Sequence, residues 1–335
     1  MVAKGHRPRR GSRAYHPRKR ARSIVGRVRR WPTGREGFLG FAGYKVGMLH
    51  VIGVETHKFS PFQGQEVVYP ATVIEVPPLK VLAVRVYGKT PGGKKALCEV
   101  WAKDLPKDLE RVFTVPKEQA SQEEQMKKLE EVKDKVTEVR VIVATQPRLA
   151  GLGKKKPEVF EIAVGGQPDK ALQLALEKLG KELTVNDVFK EGDYVDAIAV
   201  TKGKGFAGSV KRFGVEEMPR WHKHRKGHSR IGSVGPQKPS IMFYAPFPGQ
   251  LGFHQRTEYN KKILKIGDAS TVKEINPPGG WKHYGLVKSQ FIIIEGSVPG
   301  PTKRLIKLRH AIRPGKVTPV PQITYLSTAP WQVSG

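Results

Sequence analysis

The sequence predicts a mainly β protein that is interrupted by an α/β insert and carries long, irregular basic extensions. Three observations predict it. Short runs with β-branched, two-residue alternation lie before position 90 and return after position 190. The stretch between them carries two helical patterns and a near-neutral charge balance. Both termini and a central span, Thr201 to Lys265, are basic, rich in glycine and proline, and without a clear period.

Composition narrows the function before any motif is read. The 335 residues suffice for a buried core and about two compact units. Sixty Lys and Arg against thirty Asp and Glu leave a formal charge of +30. Self-repulsion of that size favours a protein held against a polyanion, and nucleic acid is the expected partner. The N-terminal MVAKGHRPRRGSRAYHPRKRARS lacks the apolar core of a secretory signal, and no run approaches 18 apolar residues, so no membrane partner is expected. Cys98 is the only cysteine. That excludes a disulfide framework and a cysteine zinc site, and points to a reducing, cytoplasmic compartment.

The elements follow in order. Residues 1–40 form a basic arm: Met1 to Arg35 holds thirteen Lys/Arg and no acid. Up to Arg30, arginine outnumbers lysine ten to two, with Tyr15, His16 and Trp31 interleaved. Guanidinium planes bind phosphate in a bidentate way and stack on bases, so the arm is read as penetrating RNA. Strands are expected at Met48–Val54, Tyr69–Val76 and Leu79–Tyr87, part of a small barrel at 41–89, punctuated by prolines 61, 70, 77 and 78.

The insert, 90–190, begins near neutrality, with eleven acids and nine bases from Glu99 to Arg140. Ser121 and Glu124 fit a capping box, and Met126, Leu129, Val132, Val136 and Val139 follow at helical spacing. Val139–Thr145 reads as a buried strand; Asp169 to Gly180 reads as a second helix with Asp169 as N-cap and Gly180 at C′. A barrel strand is expected at 191–202, covering Tyr194–Val200, then a basic finger at 203–256. Barrel residues return at 257–300, with Leu286–Glu295 as a strand, and a basic tail runs from 301 to 335.

Several motifs imitate enzymes and fail on chemistry. Gly203-x-Gly205-x-x-Gly208 follows a strand, as in a dinucleotide site, but Gly214, Pro219 and Gly227 interrupt any helix after it. The ribose-binding acid expected near position 225 is replaced by cations. Gly88 to Lys95 resembles a phosphate-binding loop, but Lys95 stands where a hydroxyl must ligate magnesium; it reads as a basic hairpin tip. Lys204-Gly-Phe-Ala207 begins an RNP1 pattern that Gly208 ends. His222, His224 and His228 have no carboxylate or thiol beside them, so no metal is expected, and stacking on RNA accounts for them better. No catalytic set is found, no cofactor is implied, and Cys98 reads as a core thiol.

Five motifs then occur in order: Gly43-Tyr-Lys-Val-Gly-Met48, Val73-Ile-Glu-Val76, Thr201-Lys-Gly-Lys-Gly-Phe-Ala-Gly208, Gly227-His-Ser-Arg-Ile-Gly-Ser-Val-Gly-Pro236 and Ala245-Pro-Phe-Pro-Gly-Gln-Leu-Gly252. Over nearly the whole chain they resemble the universal ribosomal protein L3 family. The arm, the insert and Gly252 to Asn260 resemble its archaeal and eukaryotic branch, the archaeal form most. The resemblance implies a six-stranded closed Greek-key-type β-barrel of the translation-protein kind, with an inserted α+β domain. It implies a non-catalytic constituent of the large ribosomal subunit. Such a protein binds 23S rRNA early in assembly, sits beside other large-subunit proteins, forms no homo-oligomer, and sends a finger towards the peptidyl transferase centre.

Carried onto this chain, the expected rRNA-binding residues of the arm are Arg9, Arg10, Arg13, Arg18, Lys19, Arg20, Arg22, Arg27, Arg29 and Arg30. Those of the finger are Lys202, Lys204, Lys211, Arg212, Arg220, Trp221, His222, Lys223, His224, Arg225, Lys226, His228, Arg230, Gln237, Lys238, His254 and Arg256, with Lys261 and Lys262 just beyond. The apex is expected at Gly235, Pro236, Gln237 and Lys238, and His228 and Gln237 are candidate methylation positions. Two other readings stay open: a free RNA chaperone or nucleoid-type protein, which would exchange off in moderate salt, and an rRNA-modifying enzyme, which would need a cofactor pocket.

Overall fold

Pro77 and Pro78 carry no N–H to donate, so no strand ladder can run through them. The chain changes sheets there. The structure, a computed structural model, describes residues 9–116, 121–221, 224–235, 237–315 and 318–328. It divides into two compact units: a larger one of Val25–Ala199 and Thr257–Gly335, and a smaller one of Met1–Ile24 and Val200–Arg256.

Up to the finger the strands are β1 (Gly37–Phe38), β2 (Gly40–Val54), β3 (Glu66–Glu75), β4 (Leu79–Thr90), β5 (Gly93–Trp101), β6 (Glu138–Ala144), β7 (Val159–Gly165), β8 (Glu182–Leu183) and β9 (Tyr194–Val200). The smaller unit holds β10 (Phe206–Ala207) and β11 (Gly249–Gln250). Then come β12 (Gln255–Gly267), β13 (Phe291–Glu295), β14 (Leu305–His310) and β15 (Gln322–Leu326). One sheet of the larger unit runs β14-β9-β12-β13-β3-β2-β15, and β14 pairs with β2 as well. The other runs β1-β7-β6-β4-β5, with β8 on β4.

β4, grouped by its sequence with the first barrel strands, pairs with β5, β6 and β8 in the second sheet. Its near-continuous apolar run has a reason in its two covered faces. Val81, Val84 and Val86 enter the main core, while Leu82 and Ala83 pack with Leu109, Ile142 and Ala144 on the other side. The β4–β5 hairpin closes on Thr90 opposite Gly93, which places the glycine-lysine stretch at a turn as expected.

The insert helices are α1 (Gln122–Val132) and α2 (Pro168–Glu177). Ser121 Oγ accepts from the Glu124 N–H at 3.3 Å, and Leu129 is the buried residue of α1. In α2, Pro168 occupies the first turn and Gln167 is the N-cap. Asp169, expected as the cap, therefore lies one residue inside the helix, where its charge still favours the positive end. Gly180 has a φ of 73°, the left-handed stop expected of it. The strand expected from Leu286 is shorter, Phe291–Glu295. Residues 287–289 are held instead by side-chain bonds to Asn276 and Glu75.

Gly43 to Met48 serves packing. A Cβ on Gly43 would lie 2.5 Å from the Glu75 carbonyl oxygen, and one on Gly47 would lie 2.6 Å from the Trp281 ring. Tyr44 Oη donates within reach of Thr145 Oγ1 (3.0 Å) and Glu158 Oε2 (2.9 Å); burial pushes its pKa up to about 12. Lys45 Nζ donates to the Gly300 carbonyl at 3.2 Å. Cys98 packs against the main core, as expected of it.

The arm is ordered on the larger unit from Val25 onward. Trp31, interleaved with the arginines of the arm read as penetrating RNA, packs against the main core. A Cβ on Gly40 would lie 2.8 Å from its ring.

One buried base makes a pH prediction. His310 is 2% exposed; its Nε2 lies 2.9 Å from the Val188 carbonyl oxygen, and Nδ1 is buried without a partner among the described residues. The ring is therefore neutral with Nε2 protonated, and burial lowers its pKa to about 4. The unfolded chain titrates near 6.5 and so binds the proton first. Stability should fall as pH drops from about 6.5 to 4, by roughly 3 kcal/mol from this group. Denaturant titrations across that range should show the fall, and His310→Gln should flatten it.

Candidate nucleic-acid interface

The finger is rooted by a short antiparallel ladder. Thr201 N–H donates to the His254 carbonyl (2.9 Å), Lys204 N–H to Leu251 (2.9 Å) and Leu251 N–H to Gly205 (2.8 Å). β10 and β11 continue it. Two glycines are required by geometry here. Gly205 has a φ of 67°, and Gly252 has a φ of 71° with a Cβ position only 2.1 Å from the Lys202 carbonyl oxygen. A short helix, α3 (Ser209–Phe213), does open after the third glycine of the nucleotide-like pattern. It lasts five residues because Gly214 turns left-handed, with a φ of 67°.

The N-terminal arm lies on this root as alternating arginines and aromatic rings. Arg18 Nη1 donates to the Arg212 carbonyl at 2.8 Å, and its guanidinium carbon lies 4.2 Å from the Phe213 ring centre. Arg212 Nε and Nη1 donate to the Gln250 (3.0 Å) and Phe247 (2.7 Å) carbonyls. Arg9 and Arg13 both lie over Tyr244, Arg20 over Phe253, and Arg256 over Tyr15. Each such pair contributes on the order of 0.5–1 kcal/mol at an exposed site. His254 is buried, with Nδ1 2.7 Å from the Lys19 carbonyl oxygen. Burial first, and then Arg256, Arg212 and Arg18, hold its pKa low.

Expected RNA contacts thus separate into two sets. Arg18, Arg212 and His254 spend their donors on the protein backbone, whereas Arg9, Arg10, Arg13, Lys19, Arg20, Arg22, Lys202, Lys204 and Lys211 are exposed. The smaller unit has twenty Lys/Arg and two acids, a formal +18 of the chain's +30. Between Gly214 and Pro248 no α-helix or strand occurs among the described residues. Met218 N–H donates to the His228 carbonyl (2.8 Å), and His228 Nε2 lies 3.7 Å from Glu217. Arg220, Trp221, Arg225, Lys226, Arg230, Gly235, Gln237 and Lys238 are exposed there; His224 and His228 are half-buried. His222, Lys223 and Pro236 lie outside the described residues.

In the larger unit Arg27, Arg29 and Arg30 are exposed and Lys261 is half-buried. Lys262 is buried, a correction to its expected place on the surface. Its Nζ donates to Thr318 Oγ1 at 3.0 Å and to the Pro319 carbonyl, because strand alternation turns it inward.

The sequence reading passed over one class of residue. Phe206 (81%) and Phe243 (71%) are exposed aromatic rings of the smaller unit, as is Trp221 (65%), and Tyr244 lies beneath Arg9 and Arg13. The signal was present in Met242-Phe-Tyr-Ala-Pro-Phe247, an aromatic run inside a basic segment.

A family model described as Ribosomal protein L3 matches residues 1–329. A protein named "Large ribosomal subunit protein uL3" from Pyrobaculum calidifontis is 54% identical over 338 residues, covering 98% of this chain and 99% of its own. Those of the same name from Methanothermobacter thermautotrophicus and Archaeoglobus fulgidus are 52% and 51% identical, over 98% and 93% of this chain.

Proposed function

The chain belongs to the ribosomal protein L3 family, and from that premise we propose that it is a structural, non-catalytic constituent of the large ribosomal subunit. The observation that carries the reading is the smaller unit: a formal +18, arginines interleaved with aromatic rings, and a long segment without α-helix or strand among its described residues. Such a surface is suited to phosphate backbones and unstacked bases. In this reading the exposed cations of the root and arm bind 23S rRNA, and the residues about Gly235, Gln237 and Lys238 reach towards the peptidyl transferase centre. Neighbouring large-subunit proteins cover part of the larger unit, and the assembled particle is cytoplasmic. The ring of pairings β14-β9-β12-β13-β3-β2, returned by β14 on β2, supports a closed six-stranded Greek-key barrel as the rigid base.

Ala207 pairs with Gly249, so the finger can be removed at its root by joining them through a Gly-Ser turn. The expected result is a folded larger unit and large subunits that stall before maturation. Normal sedimentation and translation by subunits carrying this variant would overturn the proposal. A wild-type chain that leaves the subunit at moderate salt would instead identify a free RNA chaperone. A finer test uses Lys202, Lys204 and Lys211, exposed at the root. Changing all three to glutamine should lower the slope of log K against log[salt] for an rRNA fragment by about 2 to 3, from roughly 0.7–0.9 per lost phosphate contact. Filter binding across a salt series measures it.

A further inference from the structure

Lys307 lies in β14, opposite Ala42 of β2 and Ile198 of β9, and is only 6% exposed. Its ammonium has no hydrogen-bond partner among the described residues; the Phe160 ring, 4.1 Å from Nζ, is its neighbour. A buried ammonium without an anion is an unfavourable arrangement, and burial lowers its pKa to about 7, against a smaller opposing pull from Glu161. The nearby acids are already engaged. Glu161 accepts from Arg85, Tyr87 and Arg140, and Glu138 from Arg140 and Lys94.

Lys307 borders a cavity of about 670 Å³ that is half open to solvent, walled on one side by residues 25–31 and on the other by β4, β6 and β7. Such a volume falls within the roughly 300–1,000 Å³ of small-molecule sites. Five cations and one acid line it, and Trp31, Tyr87 and Phe160 give it aromatic walls. Arg27 and Arg29 are exposed residues of its rim. Guanidinium forks match phosphate oxygens, and flat rings match a base.

We propose that this cavity is a nucleotide phosphate site, with Lys307 at its floor supplying the central charge and Arg29 closing on the phosphate oxygens. The inference rests on the RNA-binding reading and deepens it at the arm residues that border the larger unit's cavity, adding Lys307, which that reading does not use. The phosphate could belong to an RNA chain or to a free nucleotide.

The test uses the full chain, titrated with AMP and with the trinucleotide ApApA lacking terminal phosphates. Lysine side-chain NMR near pH 7.5 follows Lys307. Saturation is expected to move its resonance to the protonated position. Lys307→Met is expected to weaken binding at least tenfold, and Arg29→Ala several-fold. The exposed Arg29 change preserves the fold if the buried one does not. Binding of ApApA without AMP identifies an RNA chain as the source; binding of AMP as tightly as ApApA or more tightly identifies a free nucleotide. Either upholds the site. A Lys307 resonance unmoved by both ligands, or unchanged affinity in Arg29→Ala and in folded Lys307→Met, overturns it. The finger-closure variant leaves this cavity untouched, so failure here and failure of the ribosomal reading are told apart.

Discussion

Replacing Asp196 with alanine is expected to destabilise the larger unit by about 3–5 kcal/mol, the cost of leaving a buried charge without its partner. Asp196 is fully buried in β9 and accepts from Arg309 Nε (3.1 Å) and Nη2 (3.0 Å), with the pair sealed from solvent. The Asn260 and Ile312 N–H groups also donate to it, at 3.1 and 3.3 Å. Its removal strands a guanidinium and two backbone donors together. Arg309→Met in the same chain removes the stranded charge, so the double variant should recover a substantial part of the loss. Urea denaturation of the four proteins measures both effects. A single-variant cost below about 1 kcal/mol would show that water reaches the pair and screens it.

Glu75→Gln is expected to cost about 2–4 kcal/mol, since an amide NH₂ would face donors where a carboxylate oxygen now accepts. Glu75 is fully buried at the end of β3. It accepts from the Lys288 N–H (2.7 Å), the Ser289 N–H (2.9 Å) and Oγ (3.0 Å), the Gly151 N–H (3.1 Å) and the Tyr284 hydroxyl. The backbone at Lys288 and Ser289 makes no strand and depends on this carboxylate for order, while Asn276 holds Val287 beside it. Hydrogen exchange should therefore accelerate at Lys288 and Ser289 before it does in β3. Equal protection in the variant would contradict that dependence.

Neither acid stands out as buried from the sequence alone. Val73-Ile-Glu75-Val and Tyr194-Val-Asp196-Ala-Ile put a carboxylate inside an apolar β run, in a chain where acids are scarce. A solvent-facing acid would give the same letters in an alternating strand, and only the pairing of β9 with β14 brings Arg309 to Asp196 across more than a hundred residues. The same limit governs Trp31, Arg18, Arg212 and Lys262. Each has the composition of an RNA contact, yet each is used to pack or brace the protein. Cations serve both purposes, because a backbone carbonyl and a phosphate oxygen accept the same hydrogen bond.

The sequence by itself determined what depends on local periodicity and on summed charge. These are the β runs and two helices, the near-neutral start of the insert, the irregular basic finger, the glycine stops at 180 and 214, and the polyanion partner. Alternation, capping and net charge are properties of neighbouring residues or of totals, and need no fold to be read. Tertiary structure decided what depends on distant partners: which sheet takes β4, which cations remain exposed, and how Lys307 comes to stand beside Phe160. Those outcomes follow from desolvation, which a residue experiences only once the rest of the chain has closed around it.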